Sequence, residues 1–216
     1  NERGPIQRWI QANGSENQPA HSGTRAAYIN RENVTDGTTT EDWLITPQFT
    51  VPLNAQLKFW SRLTELDDQG TLYKIFIGTD PTDITTFTEL QSWTELQINP
   101  DQTTYLEKIV NIPTSYTGSP YYIAFVMQGD NGDRWLIDDV QVVENCLVPT
   151  NLAATPGATS AVFTWAGNAP NFEVEVIPAN GTRTESGTVI AGNTFTTTTP
   201  LTPSTAYVYY VRSVCS

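Results

Sequence analysis

The residues that could do chemistry in this chain begin with its single histidine, His21. A Ser–His–Asp triad could be built only around it, because that arrangement needs an imidazole as its general base. His21 lies in a polar stretch, residues 18–23, which is typical of a loop, and a lone loop histidine is more often solvated than catalytic. The chain has no G-x-S-x-G, H-E-x-x-H or P-loop motif. A pair of carboxylates for glycoside hydrolysis need only meet in space, yet no spacing of the acids indicates one. We therefore expect this fragment not to be an enzyme.

Two short acidic stretches have the oxygen-rich composition of calcium-binding loops. Residues 130–133 read Asp-Asn-Gly-Asp, but an EF-hand loop also needs a glutamate at position 12, where this chain has Gln141. We interpret this stretch as a hairpin turn. Residues 67–70 read Asp-Asp-Gln-Gly, and we interpret them as a loop.

Exposed tryptophans are a third kind of candidate, because sugar rings stack on flat aromatic surfaces. Trp60 alternates with Lys58 and Arg62 on one face of a predicted strand, so it is the first candidate for a ligand-binding platform. Trp93 and Trp135 are further candidates. The alternative for each ring is burial against the core or beneath a loop.

The composition of the chain restricts the class of protein to which it can belong. The chain has 216 residues, 11% aromatic and 16% charged, which is enough apolar material for a packed core. Its net charge is −12, with 11 Lys and Arg against 23 Asp and Glu. That balance disfavours binding to nucleic acid or to an anionic membrane surface. No stretch is apolar enough to predict a membrane span. About −11 of the charge falls in residues 1–145, which suits either a cation site or a soluble secreted surface.

The alternation of side chains predicts an all-β fold. Short runs rich in β-branched and aromatic residues are bounded by Gly, Pro, Asn and Asp, and they cover residues 56–63, 72–77, 121–127 and 135–143. The pattern changes at residues 144–149, after which six or seven short strands follow closely. We therefore place one domain at residues 1–145 and a second at residues 146–216.

The second segment resembles a fibronectin type III domain of the bacterial type found in secreted Bacteroidetes proteins. The resemblance lies in P-T-N-L near its start, S-A-x-x-x-T-W before Trp165, and L-T-P-x-T-x-Y-x-x-Y-V-R-S-V-C at its end. It implies an immunoglobulin-like sandwich, with Trp165 in the core and the Tyr207 hydroxyl bonded to nearby backbone. It also makes a disulfide between Cys146 and Cys215 reasonable, although two reduced cysteines are the alternative. The family has a seventh strand after the sixth, so we expect this module either to lack its last strand or to have its sheet completed by another segment.

The first segment is similar to the choice-of-anchor J and cleaved-adhesin domains of secreted Bacteroidetes proteins, which are relatives of MAM-type jelly rolls. The specific motifs are Asp42-Trp43-Leu44-Ile45-Thr46-Pro47 and Ile137-Asp138-Asp139-Val140, and H-S-G-T-R-A-A-Y-I beginning at His21 adds to them. This resemblance implies a jelly-roll β-sandwich with a bound structural Ca²⁺. Carried over to this chain, Glu2 and Asp138 are the ligands, and Asp139 is the second choice. Adjacent acids on a strand point to opposite faces, so we expect at most one of the two aspartates to enter an interior site. The alternative is that both are solvent-facing.

Together these features predict a non-catalytic, calcium-stabilised binding or adhesion module, cut as a monomeric fragment from a larger secreted or cell-surface protein. The expected ligand is an extracellular protein or a glycan. The alternative function is a carbohydrate-binding module that accompanies a polysaccharide-degrading enzyme or a protease.

Overall fold

The computed structural model describes residues 7–15, 18–34, 38–101 and 104–215. The chain divides into two compact units, Asn1–Val143 and Glu144–Ser216. Nearly all of its regular structure is β-strand, so the all-β prediction is confirmed. The described part contains no helix of the length and apolarity needed to cross a bilayer.

Within its described residues, the first unit contains two five-stranded antiparallel sheets. Its elements are β1 (Ile10–Gln11), β2 (Ala27–Ile29), β3 (Thr40–Ile45), β4 (Phe49–Thr50), β5 (Ala55–Arg62), β6 (Leu72–Gly78), β7 (Thr88–Thr94), α1 (Glu95–Ile98), β8 (Leu106–Asn111), β9 (Pro120–Gly129) and β10 (Trp135–Glu144), with 3₁₀ turns at Ile84–Thr86 and Thr114–Tyr116. The first sheet has the order β1-β2-β10-β5-β8. The second has the order β3-β9-β6-β7, and β4 also pairs with β9. Strands close in sequence therefore often lie in different sheets, as in a jelly roll.

The inward faces of both sheets meet in one core. In β5, buried and half-buried residues alternate along the whole strand, as the sequence predicted. Phe59, Tyr73, Phe125 and Trp135 are each at most 1% exposed and pack edge to face, with ring centroids 5.0–6.5 Å apart. Burying a large apolar side chain contributes roughly 1.5–3 kcal/mol, so this group is a major part of the unit's stability. The indole N–H of Trp135 donates to Ser61 Oγ at 2.9 Å, which satisfies its one polar atom.

A smaller apolar cluster lies on the outer face of the first sheet. Leu136 and Tyr28 point away from the main core, yet they are 0% and 5% exposed. Ala12, Ala20 and Ala26 pack against them and cover part of this face.

The second unit contains two three-stranded antiparallel sheets. Its strands are β11 (Thr150–Pro156), β12 (Ala161–Ala166), β13 (Asn171–Pro178), β14 (Thr188–Ala191), β15 (Thr194–Thr196) and β16 (Tyr207–Val214), in the orders β11-β12-β15 and β14-β13-β16. Trp165 is 5% exposed in the core. The hydroxyl of Tyr207 accepts the N–H of Thr202 at 3.0 Å. Cys146 and Cys215 form the expected disulfide, with Cα atoms 5.8 Å apart.

Candidate functional site

Residues 18–24, called here the strap, cross the outer face of the first sheet and bring the candidate residues together. Trp60 points outward from β5, and the imidazole of His21 stacks on its indole. The ring centroids are 3.7 Å apart and the planes are inclined by 13°. Tyr105 meets the same imidazole edge to face at 5.4 Å, and its hydroxyl donates to Pro19 O at 2.7 Å. His21 lies in a loop and remains exposed, as predicted, but its ring also has defined contacts with this face.

Two carboxylates from β10 hold the strap in place. Asp138 Oδ2 accepts the backbone N–H groups of His21 and Ser22 at 2.8 and 3.1 Å. Asp139 Oδ2 lies 2.7 Å from His21 Nδ1, and Asp139 Oδ1 accepts the Ser22 hydroxyl at 2.6 Å. Residues separated by about 117 positions in the chain thus make four polar contacts.

The two aspartates act on the same side of the sheet, so the expectation that their side chains point to opposite faces is wrong. Asp139 has a φ of +48°, in the left-handed region. Strict alternation of side chains requires extended backbone, and this one residue interrupts it. Both carboxylates consequently face the strap.

Electrostatics at this site follow from the contacts. Hydrogen bonds from Ser22 and His21 lower the pKa of Asp139 below its usual value. The pKa of Tyr105 is raised, first by burial of the hydroxyl and then by the charge of Asp138. The tyrosine therefore stays neutral and acts as a hydrogen-bond donor.

A second candidate site is an open cleft beside Trp43, which the sequence analysis did not single out as a binding residue. The cleft has a volume of about 780 Å³ and includes Glu41, Asp42 and Gln128 along its polar side. Trp43 is half-buried, packs on Phe76 at 5.0 Å, and directs its indole N–H to Glu41 at 3.4 Å. Nothing in the sequence separated Trp43 from the other tryptophans, because period-2 alternation does not show which outward rings are left uncovered.

The sequence profile of the Cleaved Adhesin Domain family matches residues 3–142. The chain belongs to this family. That part of the resemblance is confirmed, whereas the choice-of-anchor J and fibronectin type III parts stay predictions. No curated protein sequence matches the chain.

Solved structures of cleaved adhesin domains are similar in fold. One domain of Lys-gingipain from Porphyromonas gingivalis has 21% identity and a TM-score of 0.48, over 64% of this chain and 85% of that one. Another domain of Lys-gingipain has 19% identity and a TM-score of 0.49, over 63% and 83%. The family 30 carbohydrate-binding module of a cellulosomal cellulase from Clostridium thermocellum has 13% identity and a TM-score of 0.39, over 64% and 83%. Similarity at this level concerns the fold alone.

In this cleaved adhesin domain the strap brings a histidine and a serine next to an aspartate of β10, but not in the geometry of a triad. A serine nucleophile is activated when its hydroxyl donates to the histidine that acts as its base. Here the Ser22 hydroxyl and His21 Nδ1 both contact Asp139. The contacts describe an anchor for the strap rather than a proton relay.

The other tryptophan candidates belong to the core. Trp135 is 0% exposed, so its proposal as an exposed platform is wrong. Trp93 packs against the same core and lies 6.3 Å from Phe59. Trp60 stays a candidate, but one face of its indole is covered by His21.

Of the predicted calcium ligands, only Asp138 and Asp139 lie within the described residues. Glu2 lies outside the described residues. Asp138 is surrounded by N–H donors, since its Oδ1 also accepts the N–H of Asp139 at 2.8 Å. Oxygen ligands are what Ca²⁺ requires, and N–H groups compete with it for the same lone pairs. In the part of the chain that is described, no three His, Cys, Asp or Glu side chains converge as metal ligands.

Of the two acidic stretches, one differs from its interpretation and the other agrees with it. Residues 130–133 connect β9 of the second sheet to β10 of the first, so they are not a hairpin turn. Residues 67–70 are a loop, as predicted, and they pack beside Glu95 through the Gln69 N–H.

Proposed function

We propose that the first unit is a non-catalytic binding module of the adhesin type, which acts outside the cell as part of a secreted or surface protein. Membership of the cleaved adhesin family supports the adhesive role. The disulfide in the second unit supports an oxidising, extracellular location. The observation that carries a ligand-binding role is the open cleft at Trp43, whose volume lies within the usual range for ligand sites.

The ligand that suits this cleft is a glycan. A sugar presents an apolar ring face and many hydroxyl groups, which match an aromatic side chain flanked by carboxylate and amide groups. Trp43 supplies the aromatic surface, and Glu41 and Gln128 supply hydrogen-bonding groups next to it. Trp60 is the second choice, because a sugar could stack on its covered face only after the strap moves away.

Affinity gel electrophoresis tests this proposal with galactan, xylan, mannan and a soluble cellulose derivative as probes. We expect one of them to retard the chain, and Trp43→Ala to weaken that retention about tenfold or more, as loss of a central aromatic contact does. Because Trp43 also packs on Phe76, Gln128→Ala serves as a second variant that leaves this packing intact. Trp60→Ala is the matched control. Retention lost in Trp60→Ala and kept in Trp43→Ala would assign the platform to Trp60.

We also propose the finer point that Ca²⁺ stabilises the first unit through Glu2 and Asp138. Its support is the family resemblance and the concentration of acidic residues in this part of the chain. A bound ion would have to use the lone pairs of Asp138 that the strap leaves free, or displace the strap's N–H groups. Chelation should lower the melting temperature, and added Ca²⁺ should restore it. No response to either reagent would contradict this point.

For the second unit we propose a fibronectin type III spacer. The burial of Trp165 and the contact of the Tyr207 hydroxyl with backbone support it. A chain shortened to residues 1–145 should therefore retain its glycan ligand as well as the full chain does. Loss of retention would show that the second unit takes part in binding.

A further inference from the structure

A small, partly open cavity in the first unit, too narrow for a water molecule, is lined by residues from positions 31–32, 40, 71 and 127–133. Its lining residues include Glu32, Asp133, Thr40, Thr71 and Gly129, each of which has at least one oxygen atom that could act as a ligand. The loop that contains Gly132 approaches so closely that a Cβ atom there would collide with the Thr71 hydroxyl. The cavity is therefore tightly built and rich in oxygen.

Glu32 is the unusual residue of this cavity. It is 5% exposed, and its Oε1 atom is buried without a hydrogen-bond partner. A buried carboxylate oxygen without a partner destabilises the fold, because it has lost its hydrogen bonds to water without forming new ones. Such an atom in a native fold calls for a partner, and Glu32 is one of the residues that line the cavity.

Asp133 supplies a second buried carboxylate to the same cavity. It is 0% exposed. Its Oδ1 atom accepts the N–H groups of Glu65 at 2.9 Å and Arg134 at 2.5 Å, whereas Oδ2 has only a long 3.4 Å contact with Thr64 N among the described residues. Burial raises the pKa of Asp133, and these N–H groups oppose the rise only in part. Oδ2 thus retains capacity to bind a further positive group.

The nearby cationic side chains do not neutralise these acids. Arg31 lines the cavity, but its guanidinium lies 3.8 Å from Glu65, and Arg134 pairs with the same carboxylate. Glu95, which is also 0% exposed, lies next to the cavity and accepts the N–H of Thr71 at 3.1 Å. The region therefore contains four carboxylates and two guanidinium groups.

We propose that Glu32 and Asp133 bind a hard divalent cation of the calcium class in this cavity. Two carboxylates neutralise such an ion, and the oxygen atoms of Thr40, Thr71 and Gly129 are the neutral ligands that Ca²⁺ accepts in addition. The site is separate from the one that the family resemblance implies at Glu2 and Asp138. It also does not depend on the proposed glycan-binding function.

Equilibrium dialysis of the full chain against Ca²⁺ tests the proposal. We expect Glu32→Gln and Asp133→Asn each to weaken binding of one ion by about 100-fold or more, because even indirect ligand partners contribute 10–100-fold. Glu107→Gln, which removes an exposed carboxylate from β8, should leave binding unchanged. Asp138→Asn should also leave this ion in place, which separates the result from calcium binding at Asp138.

Terbium luminescence covers the case in which a variant does not fold. The Tyr73 ring packs on Trp135 at 5.0 Å, and its hydroxyl responds to the charges of Asp133 and Glu95, which raise its pKa after burial does. An ion in the cavity would therefore accept energy from these rings. In the folded Asp138→Asn chain, Tb³⁺ should give sensitised emission that Ca²⁺ displaces. Absent emission, or Ca²⁺ binding that is equal in the wild type and Glu32→Gln, would overturn the proposal.

Discussion

Replacing Asp138 by asparagine separates its two candidate roles, which are to anchor the strap and to bind Ca²⁺. In the described contacts, the carboxylate accepts two backbone N–H groups from the strap and one from its own strand. Asparagine keeps one acceptor oxygen, loses the charge, and turns an NH₂ group towards N–H donors. Hydrogen bonds to a charged group contribute about 1.5–3 kcal/mol each, and partial exposure reduces that value. We therefore expect the first unit to lose about 1–2 kcal/mol of its free energy of unfolding.

Urea unfolding in EDTA measures this loss. Five of the six tryptophans lie in the first unit, so tryptophan fluorescence reports chiefly on it. With an m-value of about 2 kcal/mol per M, the midpoint should fall by roughly 0.5–1 M. Trypsin should also cleave faster after Arg25, which follows the strap and is exposed. Glu107→Gln is the control.

The urea midpoint of the Asp138→Asn chain in EDTA distinguishes an anchor for the strap from a ligand of the ion. A midpoint equal to that of the wild type would refute the role of Asp138 as an anchor for the strap. A loss that appears only when Ca²⁺ is present would assign the carboxylate to the ion instead.

Two further predictions concern the disulfide and the loss of thermal stability at acidic pH. Cys146 and Cys215 are 69 positions apart. In the chain-entropy model, reducing their disulfide should lower the free energy of unfolding of the second unit by about 4 kcal/mol. A denaturation midpoint that a reductant leaves unchanged would contradict this. The pKa of Asp139 is lowered in the folded state, so its contribution is present above the usual value of 3.8 and is lost as the pH falls through the lower, folded value. Between about pH 4.5 and 3 the melting temperature of the wild type should therefore fall more steeply than that of Asp139→Asn, and parallel curves would be evidence against the contact.

Much of the first unit followed from the sequence because side chains alternate along a strand. The inward residues of β5, β6 and β9 were predicted from period-2 patterns, since an apolar face must be buried. The cleaved adhesin resemblance was likewise readable from short motifs such as the one from Asp42 to Pro47. The fibronectin type III resemblance of the segment that the two cysteines flank also favoured the bridge that the structure shows, although the sequence left two reduced cysteines open.

Alternation could not show what covers the outward face of a strand. Trp60 and Trp43 both point outward, but the strap covers the first and leaves a cleft beside the second. Asp133 stands in a polar turn by sequence, yet it is fully buried and has hydrogen bonds with residues 64, 65 and 71. The sequence alone therefore determined which residues face inward along each strand. The tertiary structure decided which outward residues meet, because contacts such as His21 with Asp139 join positions 118 residues apart and depend on how a loop crosses the sheet.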